Sequence, residues 1–194
     1  PDDIAEMYGV SQSAPAKYNY LADPFTRQVA YHGLHEVGQM MVDQGFEGMG
    51  CTLAAVRRGK NWILGRNFDF EGGRIFDTEK ILKWVFPEHG LAYVSVIWAG
   101  MVGAVTGVNE KGVYVSINAA GSDDFRRVGL PSTLVILQIL EHAESTAQAI
   151  KILEEAPVFI SDIYVINDRA GDLRVAEKTP KRFAEYSFKQ NGAV

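Results

Sequence analysis

The stretch from Cys51 to Phe70 constrains the fold more than any other part of the chain. Residues 51–58 (CTLAAVRR) read as a strand, Gly59-Lys60-Asn61 as a turn, and Trp62 to Phe70 as the returning strand. The two arms are about equally long. The start of the first strand and the end of the second therefore meet at one end of the hairpin. That end carries Cys51, Arg66 and Asp69, so the spacing brings together a thiol, a guanidinium and a carboxylate.

The rest of the chain supplies helices and further strands in separate blocks. Residues 1–22 are polar and read as an irregular lead-in. Asp23-Pro24 marks a helix start, with Asp as N-cap and Pro at the first helical position. Ala30, Leu34, Val37 and Met41 continue that helix at helical spacing, and Gly45 stops it. After the hairpin, residues 72–89 read as a loop. Strands follow at 91–98, 104–108 and 113–117, the last two joined by Asn109-Glu110-Lys111-Gly112. Two helices come next. One lies at about 132–142 behind Pro131. The other starts at Ser145, has Gln148 completing a capping box, and ends before Pro157. Strands return at 162–166, 173–177 and about 182–188. This order predicts an α+β fold of mostly antiparallel sheets with helices packed outside.

Composition narrows the function classes. Of 194 residues, 47% are apolar and 22% charged, as in a globular protein with a sizeable core. The net charge of −5 and the lack of a Lys/Arg-rich run argue against nucleic acid and anionic membranes as partners. No apolar stretch is long enough to span a bilayer, so no transmembrane segment is expected. Cys51 is the only cysteine, which excludes an internal disulfide framework. No cofactor motif is present. Gly72-Gly73 lacks the following Gly-Lys-Ser/Thr of a phosphate loop. His32, His35 and Glu36 lack a third ligand group for a metal, and the acidic residues between Asp69 and Glu79 lack calcium-loop spacing.

A nucleophilic thiol needs a base and a partner for its thiolate. None of the four histidines has a compelling place relative to Cys51. A base exists if Cys51 becomes a chain terminus, because a free α-amino group has a pKa of about 8. Gly50 leaves its own carbonyl open to attack by the following thiol, and the resulting thioester would be cleaved by water. Arg66 would then face the thiolate, and Asp69 would orient the new amine.

Gly50-Cys51-Thr52, the run Gly65-Arg66-Asn67-Phe68-Asp69-Phe70, and Val108 to Val113 through Asn118 resemble the choloylglycine hydrolase and isopenicillin-N acyltransferase group. Asn167-Asp168-Arg169-Ala170-Gly171 with Val175-Ala176-Glu177 is similar to a later strand turn of that group. The group includes bile salt hydrolases, penicillin V acylase and acid-ceramidase-like amidases. The resemblance implies a four-layer αββα sandwich of the N-terminal-nucleophile type. It implies Cys51 as nucleophile, Arg66 and Asp69 as its partners, and Asn118 at the position whose backbone N–H serves the oxyanion hole. The expected activity is hydrolysis of a non-peptide linear amide, or acyl transfer, on a small N-acyl substrate. The alternatives are a bile salt hydrolase proper, which needs no internal cut, and a non-catalytic binding member of the fold.

Two expectations about organisation follow from the resemblance. Residues 1–50 are a propeptide-like segment separated from 51–194 by self-cleavage between Gly50 and Cys51, with possible association of the two pieces. The group's later Thr-Asn step, whose Asn is the second oxyanion donor, has no match before Val194, and Asn191 reads as a turn residue. The sequence is therefore expected to be the first part of a longer domain.

Overall fold

The computed structural model of the chain describes residues 2–42, 49–70 and 78–188. The first described stretch forms helices α1 (Asp2–Ser11), α2 (Pro24–His32) and α3 (Leu34–Val42). Strands β1 (Met49–Arg58) and β2 (Asn61–Phe70) form an antiparallel two-stranded sheet, with Cys51 opposite Phe68 and Gly50 opposite Asp69. A second, antiparallel sheet follows in chain order. Its strands are β3 (Lys80–Val85), β4 (Tyr93–Trp98), β5 (Thr106–Asn109), β6 (Tyr114–Ala119), β7 (Asp162–Asn167), β8 (Leu173–Lys178) and β9 (Phe183–Ser187). Helices α4 (Ser132–His142) and α5 (Thr146–Glu155) lie between β6 and β7.

Strand alternation assigns the two faces of the larger sheet different tasks. One face carries Ile97, Val115, Ile117, Tyr164, Ile166 and Ala176, and it packs with Val135, Ile139, Leu140 and Leu153 of α4 and α5. The opposite face presents Val165 and Leu173 to Ala55, with Leu53, Trp62 and Leu64 packed around them. Each Leu or Ile fully buried this way contributes about 1.5–3 kcal/mol. The layers thus run helices, seven-stranded sheet, two-stranded sheet. The outer face of the hairpin leaves Val56 and Ile63 exposed.

The hairpin crosses the larger sheet diagonally. Its Cys51 end lies at β6, while its turn end rests on the β7–β8 turn, where Trp62 Nε1 donates to the Gly171 carbonyl at 3.0 Å. Gly171 has φ 80°, and a Cβ there would lie 2.2 Å from the Lys60 carbonyl oxygen. Only glycine satisfies both conditions.

Two polar turns hold the strands and helices together. The buried Asn109 side chain donates to the Leu140 and Ala143 carbonyls at 3.0 and 2.7 Å and accepts from the Lys111 and Val113 amides. Asp168 accepts from Thr146 at the start of α5 and from Ala170 and Asp172 in its own turn. Arg169 bridges the two turns by donating to the Glu110 carbonyl at 3.0 Å.

The hairpin, both later helices and the order of most strands agree with the sequence reading. Asp23 caps α2 through the Phe25 and Thr26 amides, as its sequence implied. Ser145 accepts from the Gln148 amide, but Gln148 reaches back to the Glu144 amide, one residue earlier than a standard capping box. Three readings are corrected. The lead-in is not irregular: α1 spans Asp2–Ser11, and Met7 enters the main core, where tertiary burial outweighs a polar composition. The single helix expected after Pro24 is broken at Gly33 into α2 and α3. The loop expected at 72–89 contains strand β3, which gains its hydrogen bonds by pairing with β4. The helix stop at Gly45, the Gly72-Gly73 pair and Asn191 lie outside the described residues.

Asn109 sets the β5–β6 turn against the end of α4 with four hydrogen bonds. Asn109→Ala should leave several buried backbone groups unpaired and lower the unfolding free energy by about 2–4 kcal/mol, measured by urea titration.

Candidate active site

The inner face of the hairpin carries Cys51, Leu53 and Ala55 on β1 and Leu64, Arg66 and Phe68 on β2, because cross-strand partners share a face. Arg66 joins this hairpin to β6. Its guanidinium donates to Cys51 Sγ at 3.8 Å, to Asn118 Oδ1 at 3.4 Å and to the Ile117 carbonyl by a short contact. The same group lies over the Phe68 ring, 4.6 Å from its centroid. Among the described residues, Arg66 forms no carboxylate ion pair. Burial pushes its pKa below the ordinary guanidinium range, while Cys51 and Tyr114 pull it back. A desolvated cation without a fixed counter-charge favours an anion placed beside it. The Cys51 sulfur is such a place, and it is only partly buried.

Three of the four residues singled out in the sequence, Cys51, Arg66 and Asn118, meet directly. Asp69 does not join them. It pairs with Gly50 in register and lies on the outward face, where its Oδ1 accepts from Asn67 Nδ2 at 2.7 Å. A Cβ built on Gly50 meets none of the described atoms within 4 Å.

A second polar group sits under α3, and the sequence did not point to it as a unit. His35 is 3.9 Å from Glu36 Oε1 and 3.8 Å from Asp162 Oδ1. Glu36 Oε1 accepts from the Ser132 amide at 2.6 Å, at the first turn of α4, and the Ser132 hydroxyl donates to Asp162. Burial, with Arg66 nearby, pulls the His35 pKa down to about 4. Burial raises Glu36, and it raises Asp162 well above the usual carboxylate range. His32 is fixed separately, with Nδ1 bonded to the Gln28 carbonyl and Nε2 accepting from the Val102 amide at 2.8 Å. This leaves His32 no ring nitrogen for a metal. Among the described residues no cluster of three or more His, Cys, Asp or Glu could hold a metal ion.

A cavity of about 560 Å³ opens at the ends of β6 to β9, beside Asn118. Ala120, Ser122, Ser161, Glu177, Thr179 and Arg182 line it. Ser161 and Glu177 could have been found from sequence only by knowing the strand register.

Two facing antiparallel sheets with helices packed on one of them, and similarity to solved hydrolases of the class, define an N-terminal-nucleophile hydrolase fold. Residues 56–192 match the family described as acyl-coenzyme A:6-aminopenicillanic acid acyl-transferase, and the chain belongs to that family. The match includes Arg66, Asp69 and Asn118 and begins after Cys51. An uncharacterized protein of Archaeoglobus fulgidus is 22% identical over 135 residues, covering 65% of this chain and 22% of its own length. Among solved structures, the Caenorhabditis elegans ortholog of N-acylethanolamine-hydrolyzing acid amidase aligns with TM-score 0.56 at 17% identity, over 72% of this chain and 64% of that one. A mutant of conjugated bile acid hydrolase from Clostridium perfringens aligns with TM-score 0.52 at 16% identity, over 73% and 51% of the two chains. The chain thus spans less than two thirds of these relatives.

The His35 site makes stability depend on pH in a defined direction. His35 is held neutral in the fold, while the unfolded imidazole titrates near 6.5, so its contribution is present above that value and is lost as pH falls toward about 4. Wild type should lose up to about 2 kcal/mol more than His35→Gln between pH 7 and pH 5, read from urea unfolding at both pH values.

Proposed function

We propose that the protein is a cysteine N-terminal-nucleophile amidohydrolase or acyltransferase acting on a non-peptide linear amide. The observation that carries this reading is the contact of one half-buried guanidinium with both Cys51 Sγ and Asn118 Oδ1. The nucleophile is freed by the chain itself. The Cys51 thiol adds to the Gly50 carbonyl carbon, the peptide nitrogen leaves as the Cys51 amine, and water cleaves the thioester to a Gly50 carboxylate.

The freed α-amine then serves as the base for its own thiol. Asp69, paired in register with Gly50, is the carboxylate this reading assigns to the new amine when it is protonated. Attack on the substrate carbonyl gives a tetrahedral oxyanion, for which Asn118 supplies a donor. Collapse expels the amine half and leaves an acyl-thioester on Cys51. Water completes hydrolysis; an amine completes transfer. Arg66 faces the sulfur through each step in which it carries charge.

The segment before the cut stays in place in this reading. Met7 and His32 are buried, and Gln39 donates to the Ala120 carbonyl at 2.7 Å. Cleavage removes one peptide bond from this packing and none of its contacts.

The intact mass of the full-length protein should show two pieces divided between Gly50 and Cys51, eluting together until denaturant is added. Cys51→Ala should remain one chain; a cut in that variant would sink the self-cleavage mechanism. Arg66→Lys cannot reach the sulfur, Asn118 and the Ile117 carbonyl together. Its kcat/KM on an N-acyl amide should fall by about 10²–10³-fold, with smaller effect on KM.

A further inference from the structure

Asn118 has two kinds of donor suited to an oxyanion, its backbone N–H and its side-chain amide, and the sheet uses them differently. Strand β6 pairs with β5 from Tyr114 to Ser116. One more bond extends that edge, from the Ile117 N–H to the Val105 carbonyl. Successive residues of an antiparallel strand direct their N–H groups to alternate edges. The Asn118 N–H is therefore turned the other way, toward β7. Ile163 stands opposite Asn118 there, and the pairing continues to Ala119 and Asp162. An N–H held in a ladder is not free for a substrate.

The side chain meets Arg66 instead. A guanidinium has donors only, so the atom 3.4 Å from Arg66 Nε is the amide oxygen, and Nδ2 is the other end of the group. The same guanidinium reaches Cys51 Sγ at 3.8 Å and also contacts the Ile117 carbonyl. It thus orients the amide and stands beside the sulfur at once. A cation bonded to Oδ1 draws electrons from the amide and strengthens its N–H groups as donors. No acceptor among the described residues takes Nδ2. Asn118 and Cys51 are both half-buried, which leaves them within reach of a substrate. The chain beyond Asn118 is fixed by Gln39, whose Nε2 donates to the Ala120 carbonyl at 2.7 Å.

We propose that the side-chain amide of Asn118, turned by Arg66, is the oxyanion donor of the Cys51 site, and that the Asn118 backbone N–H belongs to the β6–β7 ladder. This inference rests on Cys51 being the nucleophile. As Sγ adds to the substrate carbonyl carbon, the C–S bond forms and the carbonyl π pair moves to oxygen. Nδ2 donates a hydrogen bond to that oxygen and keeps its proton. The pair returns as the tetrahedral species collapses and the bond to the leaving group breaks. The same donor acts again when water adds to the thioester.

The test uses the full-length protein, p-nitrophenyl decanoate, decanal and decanol. The ester gives a burst that counts reactive Cys51. The aldehyde adds to the thiol as a tetrahedral thiohemiacetal, which the alcohol cannot form. Asn118→Ala keeps the backbone N–H and removes Nδ2. Asn118→Asp keeps an acceptor for Arg66 and offers no donor. Per reactive site, kcat/KM for the ester should fall by about 10²–10³-fold in Asn118→Ala and at least as far in Asn118→Asp. Affinity for decanal should weaken in both variants by a comparable factor, while affinity for decanol stays unchanged. Wild-type turnover and decanal affinity in Asn118→Ala would overturn the side-chain assignment and leave the role to a backbone donor. Equal losses for decanal and decanol would overturn it too, because they report a disturbed pocket. An Asn118→Ala chain that stays uncut by intact mass, where wild type is cut, would overturn it in favour of a part in self-cleavage. Absence of the burst in wild type would overturn the nucleophile and this inference with it.

Discussion

The structure turns on one desolvated charge. Arg66 projects from the hairpin into the space between the sheets and is satisfied by the Ile117 carbonyl, the Asn118 side chain, the Cys51 sulfur and the Phe68 ring. These groups come from both sheets, so the guanidinium fixes where the hairpin sits as well as what lies beside the thiol. The Ile117 carbonyl, the Asn118 side chain and the Phe68 ring are neutral partners. A half-buried cation held by such partners favours whatever negative charge develops at its side. Fold and site thus share a single side chain.

The helices ahead of the hairpin are tied to the same region by buried polar contacts. Glu36 on α3 accepts from Ser132 at the start of α4, where its carboxylate meets the positive end of that helix. Asp162, at the start of β7, accepts from Ser132 as well. His35 lies between the two acids and close enough to Arg66 to feel its charge. The segment that precedes Cys51 is therefore a packed part of the domain. Its loss would remove His35 and Glu36 and leave the buried Asp162 without them.

The hairpin is held on the larger sheet at both of its ends, by Arg66 at β6 and by Trp62 at the β7–β8 turn.

The sequence by itself determined the hairpin, the caps at Asp23 and Ser145, the two later helices and the alternating strands. These rest on local rules of turn chemistry and periodicity, which act over a few residues. It also singled out Cys51, Arg66 and Asn118, through the hairpin's equal arms and through family resemblance. Strand β3 and helix α1 were not legible, because pairing with β4 and the burial of Met7 decide them. The hairpin put Asp69 at the right end, yet strand alternation turned its carboxylate to the outer face. Only the tertiary structure brought His35 and Glu36 against Asp162. Those residues are far apart in the chain, and their meeting depends on register and packing across elements, which no local pattern encodes.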